Sequence, residues 1–110
     1  MAAKVNAELL DQLDRAGTSP VQAIVTLRDP KKPRAIPSPE EARGLADEVL
    51  RRTTEEVGRP ALRTNLLRNL ATLVVEADAD FLRSLLGQLE VVSAIPNRPA
   101  ESPFIPPVDN

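Results

Sequence analysis

The stretch from Leu70 to Arg98 constrains this chain more than any other, because it reads as strand, helix and strand without a break. The run Thr72 to Val75 favours a pleated backbone, since branching at Cβ suits a sheet better than a helix. Asp78 or Asp80 supplies a cap for the first free amides of the helix that follows and complements its positive end. Phe81, Leu82, Leu85, Leu86 and Leu89 then recur at helical spacing and form one apolar stripe. Gly87 loosens the last turn, and Val91, Val92 and Ile95 restart an extended run that ends at Pro96.

A β-α-β unit needs a core to close on, and here that core is aliphatic. The 110 residues contain two Phe, no Tyr and no Trp. The same scarcity argues against single-stranded nucleic acid as a partner, because such binding relies on aromatic stacking platforms. Fourteen basic residues against sixteen acidic ones give a formal charge of −2, which offers no electrostatic pull towards nucleic acid or an anionic membrane. With no cysteine, disulfides, thiol catalysis and thiolate metal sites are excluded together; with no histidine, the usual general base and the commonest zinc ligand are missing. The N-terminus has no signal-peptide core and no stretch approaches a membrane span in length, so the chain as written is expected to be cytoplasmic. An exported chain already trimmed of its signal would look the same.

Taken in order, the first element is a short helix over about Asn6 to Ala16. Val5, Leu9, Leu10 and Leu13 lie on one side, Asn6 is its cap and Gly17 its stop. A strand is expected from Val21 to Asp29, with Val21, Ala23, Val25 and Leu27 on one face and Gln22, Ile24, Thr26 and Arg28 on the other. Pro30 to Pro37 is a proline-broken loop carrying Lys31, Lys32 and Arg34, either a solvated basic cluster or a contact for an acidic partner. Ser38-Pro39-Glu40-Glu41 combines a cap, a proline at the first helical position and a capping box. The helix it starts runs to Val57, with Ala42, Leu45, Ala46, Val49, Leu50, Thr53 and Val57 inward and with Asp47–Arg51 and Glu48–Arg52 as ion pairs. Leu62, Leu66, Leu67 and Leu70 also fit helical spacing, but Arg63-Thr64-Asn65 and Arg68-Asn69 punctuate the run, so Leu62–Leu67 is read as a second strand, Arg68-Asn69 as a hairpin turn and Leu70–Glu76 as the third strand. Beyond Ile95, residues 96–110 hold five of the eleven prolines and no periodicity, as expected of an extended tail.

This gives a helix and turn over 1–20, a domain over 21–95 and a proline-rich tail over 96–110. Within the domain the order is strand, helix, strand, strand, helix, strand. With right-handed crossovers such a chain makes an α+β fold: a four-stranded antiparallel sheet with two helices on one face. The opposite sheet face has nothing to cover it except the first helix or the tail; an open sheet face is a natural binding surface, although a mainly polar face exposed to water would be equally stable. Catalytic chemistry has little to work with. Asp78, Asp80, Glu40 and Glu41 all sit at helix starts, where capping and the helix dipole account for them, and no phosphate loop or calcium loop is present. Neither an enzyme nor a bound cofactor or metal is expected.

Three stretches bear a resemblance to the inhibitor-type propeptide domains of subtilisin-like serine proteases. The opening Lys4-Val-Asn-Ala-Glu-Leu-Leu-Asp-Gln-Leu13 followed by Ala23-Ile-Val-Thr-Leu-Arg-Asp29 resembles the leading helix and first strand of such domains. Asn69 to Leu82 is similar to the strand that leads into their second helix. Leu89-Glu-Val-Val-Ser-Ala-Ile-Pro-Asn97 resembles their closing strand, with Val92 and Ile95 as its spaced apolar pair.

The resemblance implies a ferredoxin-like fold whose sheet packs on a protease, with the C-terminal segment lying substrate-like in the active-site cleft. It implies an inhibitor, and an intramolecular chaperone where the protease belongs to the same chain. Nine residues separate Ile95 from Phe104, roughly 30 Å fully extended, enough to leave the sheet and reach a cleft. Phe104 would fill the primary specificity pocket, with Pro103, Ser102 and Glu101 running back from it; alternatively Phe104 is an exposed or folded-back tail residue. Where the family places acidic residues that cap helices of the protease, this chain has Pro96, Asn97 and Arg98. Asn97 can serve as such a cap, whereas Arg98 opposes the helix dipole. The other function class open to such a domain is an interaction or regulatory module that pairs through its sheet. The expected partners are therefore a subtilisin-like serine protease, with the domain itself a monomer or weak homodimer, and neither nucleic acid nor a membrane.

Overall fold

The computed structural model of the chain describes residues 4–97. Its elements in order are β1 (Lys4–Val5), α1 (Ala7–Ala16), β2 (Val21–Leu27), α2 (Pro39–Val57), β3 (Arg63–Leu67), a 3-10 turn (Arg68–Leu70), β4 (Thr72–Ala77), α3 (Ala79–Leu86) and β5 (Val91–Pro96). The fold is α+β, with three helices and a five-stranded mixed sheet ordered β1-β5-β2-β4-β3. Four strands, β5, β2, β4 and β3, are antiparallel neighbours. The expected four-stranded antiparallel sheet is corrected by β1, which adds a parallel pairing of Lys4 with Ser93 and Val5 with Ala94. Two residues carry no periodicity, which is why this strand has no signature in the sequence.

Local chemistry sets the helix ends. Ser38 Oγ accepts from Glu41 N at 3.2 Å while Glu41 Oε1 accepts from Ser38 N at 2.9 Å, closing the capping box at the start of α2. At its far end Gly58 takes φ 88°, a left-handed conformation that costs glycine little, and donates its N–H to Thr54 O. Asp78 caps α3 by accepting from Phe81 N at 2.9 Å, and Asp80 sits in the first turn. Asn6 caps α1 through Glu8 N.

Alternation along the strands sorts the two sheet faces. Val21, Ala23, Val25 and Leu27 of β2 and Leu73, Val75 and Ala77 of β4 point to the helices and are buried. They meet Ala46 and Val49 of α2 and Phe81, Leu82 and Leu85 of α3 in one core. Leu9 and Leu13 of α1 belong to the same core, so the first helix shares the layer of the other two, and no described residue covers the opposite sheet face. Phe81 is the largest side chain there, and burying it contributes about 1.5–3 kcal/mol before ordering costs.

Three local expectations are corrected. Leu89 is 67% exposed, because α3 ends at Leu86 and the turn from Gly87 carries Leu89 off the apolar stripe. Arg51 bonds Glu48 and Glu55 rather than Asp47, the two carboxylates at i−3 and i+4 being better placed around its guanidinium. The hairpin turn is a three-residue 3-10 turn, closed by Ala71 at φ 48°. Alanine gives no sign of that conformation, which glycine or asparagine would have signalled.

Candidate protein-binding surface

The uncovered face of the sheet is the candidate site. From β2 it receives Gln22, Ile24 and Thr26; from β4, Thr72, Val74 and Glu76; from β3, Arg63, Asn65 and Leu67; from β5, Ser93 and Ile95. Cross-strand pairing places Ile24 between Val74 on one side and Ile95 on the other. These three make an apolar row across the middle of the sheet, and Ile95 is 49% exposed. Thr26 lies beside Thr72 and Ser93 in the next row, so hydroxyls border the apolar strip.

At the Gln22 end of the face the groups are polar and mutually bonded. Arg63 Nε donates to Glu76 Oε1 at 2.6 Å, and Gln22 Nε2 donates to Glu76 Oε2 at 3.4 Å. The Arg63 guanidinium holds the Glu76 carboxyl below its ordinary range. Between them lies a hollow of about 340 Å³, lined by Gln22, Arg63, Thr64, Asn65, Val74 and Glu76. A second, larger cleft of about 490 Å³ opens near the other end of β2, between Arg28 and Pro30 on one wall and Leu89 and Val92 on the other. Leu27 pairs with Val91 and Thr26 with Ser93, so Val92 is the extra residue of a bulge there.

Of the residues singled out for protease binding, Asn97 is placed at the polar end of the face. Its N–H donates to Gln22 O at 3.1 Å and its Nδ2 donates to Gln22 Oε1 at 3.0 Å, extending the β5–β2 ladder by one residue. Capping a helix of another protein would use Oδ1 of Asn97, a different atom from the one bonded to Gln22. Glu101, Ser102, Pro103 and Phe104 lie outside the described residues.

Elsewhere the charged candidates have structural partners. Arg59 bonds Asp78 at 2.6 Å and Asp80 at 3.5 Å, and its guanidinium, with the Phe81 amide, holds the Asp78 carboxyl below its usual range. In the basic loop Lys32 reaches Glu41 at 3.2 Å, while Asp29 Oδ1 accepts from Lys31 N, so the cluster is partly engaged with its own chain. No group of His, Cys, Asp and Glu side chains among the described residues could hold a metal ion. No helix among them is long and apolar enough to cross a membrane.

Sequence reading assigns Gln22, Ile24 and Thr26 to the open face but misses what β3 and β4 add to it. The period-2 rule assigns Ile24 to it, and the same rule applied to Thr72–Ala77 yields Val74 and Glu76 beside it. Asn65 and Arg63 needed the β3–β4 register. The geometry defines a sheet face that no described residue covers, with an apolar centre and a polar end. No protein-family model, characterised protein or solved structure matches the chain.

Proposed function

We propose that the protein is a non-enzymatic binder and inhibitor of a subtilisin-like serine protease. The observation that carries this reading is the uncovered face, with Ile24, Val74 and Ile95 in a row across three strands. The antiparallel set β5-β2-β4-β3, with α2 and α3 as the crossovers, is a ferredoxin-like frame; α1 and β1 are additions to it. On this reading the open face packs on the protease, and the chain beyond Asn97, through Glu101, Ser102, Pro103 and Phe104, enters the active-site cleft as an extended strand. Main-chain hydrogen bonds would then supply affinity and alternate side chains specificity. Where the protease is synthesised in the same polypeptide, the domain would also template its folding.

The test is a titration of several subtilisin-like proteases with the full chain and with a version ending at Pro96, followed by peptide hydrolysis. The full chain should inhibit at micromolar concentration or below, and the shortened chain at least about tenfold less well, the equivalent of one buried anchor side chain. Equal inhibition by both versions would refute the role of the tail. A third version, Ile24→Glu, should lose inhibition while remaining folded, at a stability cost of about 1–2 kcal/mol, because Ile24 lies outside the core but pairs with Val74 and Ile95. If neither full chain nor variants slow hydrolysis and the protein instead self-associates in a manner abolished by Ile24→Glu, the sheet face is an oligomerisation surface and the protease reading is overturned.

A further inference from the structure

The two edges of the sheet are finished differently. At one edge β1 covers Ser93 and Ala94 and places a lysine, Lys4, beside Ser93. Lysine on an outer strand discourages pairing by another chain. At the other edge no strand among the described residues lies outside β3, and Arg63, Thr64, Asn65 and Leu67 are all exposed. Alternate N–H and C=O groups of such a strand point away from the sheet without a ladder partner. β3 contains no proline and no lysine, and its single charge, Arg63, is bound by Glu76 of its own sheet. Leu67 is 39% exposed within the strand, and Leu62 and Leu70 flank it, each 63% exposed.

We propose that β3 pairs with the β3 strand of a second copy, antiparallel, about a two-fold axis through Asn65. The strand's own sequence selects this register. With the two Asn65 residues opposite each other, Arg63 faces the other copy's Leu67, Thr64 faces its Leu66, and every residue of Arg63–Leu67 is paired. The two carboxamides are self-complementary, each offering donors and an acceptor. A register centred on Arg63 would oppose two guanidiniums, which is unfavourable. One centred on Leu67 would run the partner strand into the 3-10 turn at Arg68–Leu70. The second copy is therefore a partner that fits the edge without a charge clash, and its Glu76–Arg63 pair completes an alternation of charge and leucine along the seam. This association joins the sheets edge to edge and leaves both open faces uncovered, so it is independent of the protease reading. Five residues a side is far below the 20–30 of a standard interface, which sets the dimer in the micromolar range or weaker.

Sedimentation velocity on the full chain from roughly 5 to 500 μM should show a concentration-dependent monomer–dimer equilibrium. Asn65→Lys, which sets two ammonium groups opposite each other at an exposed position, should raise the dimer Kd at least about tenfold without lowering the melting temperature. Because the chain has no cysteine, single-cysteine variants report the register cleanly. Asn65→Cys should cross-link on mild oxidation, since residues directly opposite in an antiparallel pair sit within disulfide reach. Ile95→Cys, in the middle of the open face, should not. A monomer at every concentration, an unchanged Kd in Asn65→Lys, or faster cross-linking of Ile95→Cys than of Asn65→Cys would each overturn the proposal.

Discussion

Arg52 and Glu90 form a polar contact that ties α2 to the turn before β5, and removing either side chain tests what that tie contributes. Among the described residues Glu90 is one of two buried polar side chains, 9% exposed, and its Oε1 has no hydrogen-bond partner among them. Its other oxygen accepts from Arg52 Nη2, while Arg52 Nη1 donates to Gln88 Oε1 at 3.0 Å and Nε to Glu48 Oε2 at 3.2 Å. Glu90 is the main reason the Arg52 guanidinium stays protonated beyond its ordinary range. Replacing Arg52 by methionine keeps the aliphatic stem but strands a buried carboxylate. Breaking a fully buried pair costs 3–5 kcal/mol, whereas a hydrogen bond to a charged group contributes about 1.5–3. The Arg52 side chain is 33% exposed, so water takes over part of its role, and the lower range applies. Arg52→Met should therefore cost about 2 kcal/mol in urea unfolding. The double variant Arg52→Met with Glu90→Leu removes both charges and should recover to within about 1 kcal/mol of the parent. The cycle then gives a coupling of about 1–2 kcal/mol. A loss below about 0.5 kcal/mol in Arg52→Met, or a double variant less stable than the single one, would refute the reasoning.

Three further outcomes are expected. Ser38→Ala removes half of the capping box of α2 and should cost about 1 kcal/mol in chemical denaturation, with most of the loss recovered by Ser38→Asn. Leu9→Ala opens a cavity where α1 meets the core and should cost 2–5 kcal/mol, whereas Leu10→Ala, at a position 48% exposed, should stay within about 0.5 kcal/mol. The Asp78 carboxyl is held below its ordinary value by Arg59 and the Phe81 amide, so its contribution is present above the unfolded-state pKa and is lost as pH falls through the lower folded-state value. Asp78→Asn keeps a capping oxygen but removes this titration, and melting curves between about pH 5 and pH 2 should fall less steeply than those of the parent.

Legibility of the fold in the sequence follows the range of the interactions. Helix α2 is readable from Ser38 to Gly58 because its cap, its proline and its stop are all local. Strand β3 falls within one residue of Leu62–Leu67, but its leucines also fit helical spacing, and only the polar breaks at Arg63-Thr64-Asn65 and Arg68-Asn69 favour the strand. Strand β1 is not, since its partners Ser93 and Ala94 are almost the whole chain away and its two residues offer no pattern. The same distance hides the Arg52–Glu90 pair, which joins α2 to the turn between α3 and β5. The open face was readable in principle from strand alternation, but its polar end was not: Gln22, Arg63, Glu76 and Asn97 are joined by register alone.

That polar end bears on how a tail-in-cleft inhibitor of this shape would have to work. Asn97 is tied to Gln22 by both its backbone N–H and its side chain, so β5 holds its ladder one residue past Pro96. On the far side of β5, Asn6 donates its N–H to Ala94 O, and β1 occupies the edge beside Ser93 and Ala94. The strand from which the tail departs is thus fixed from both sides almost to its last residue. Fixing the departure point cuts the number of conformations a tail can sample near the sheet, and so lowers the ordering cost of placing its first residues on a partner. Gln22→Ala removes the side-chain half of that anchor at an exposed face while leaving the apolar row of Ile24, Val74 and Ile95 intact. If the tail reaches its cleft from a fixed origin, this variant should inhibit less well than the parent but better than the chain ending at Pro96. If it matches the parent, the departure angle carries no weight, and the binding energy resides in the face and in the tail's own contacts.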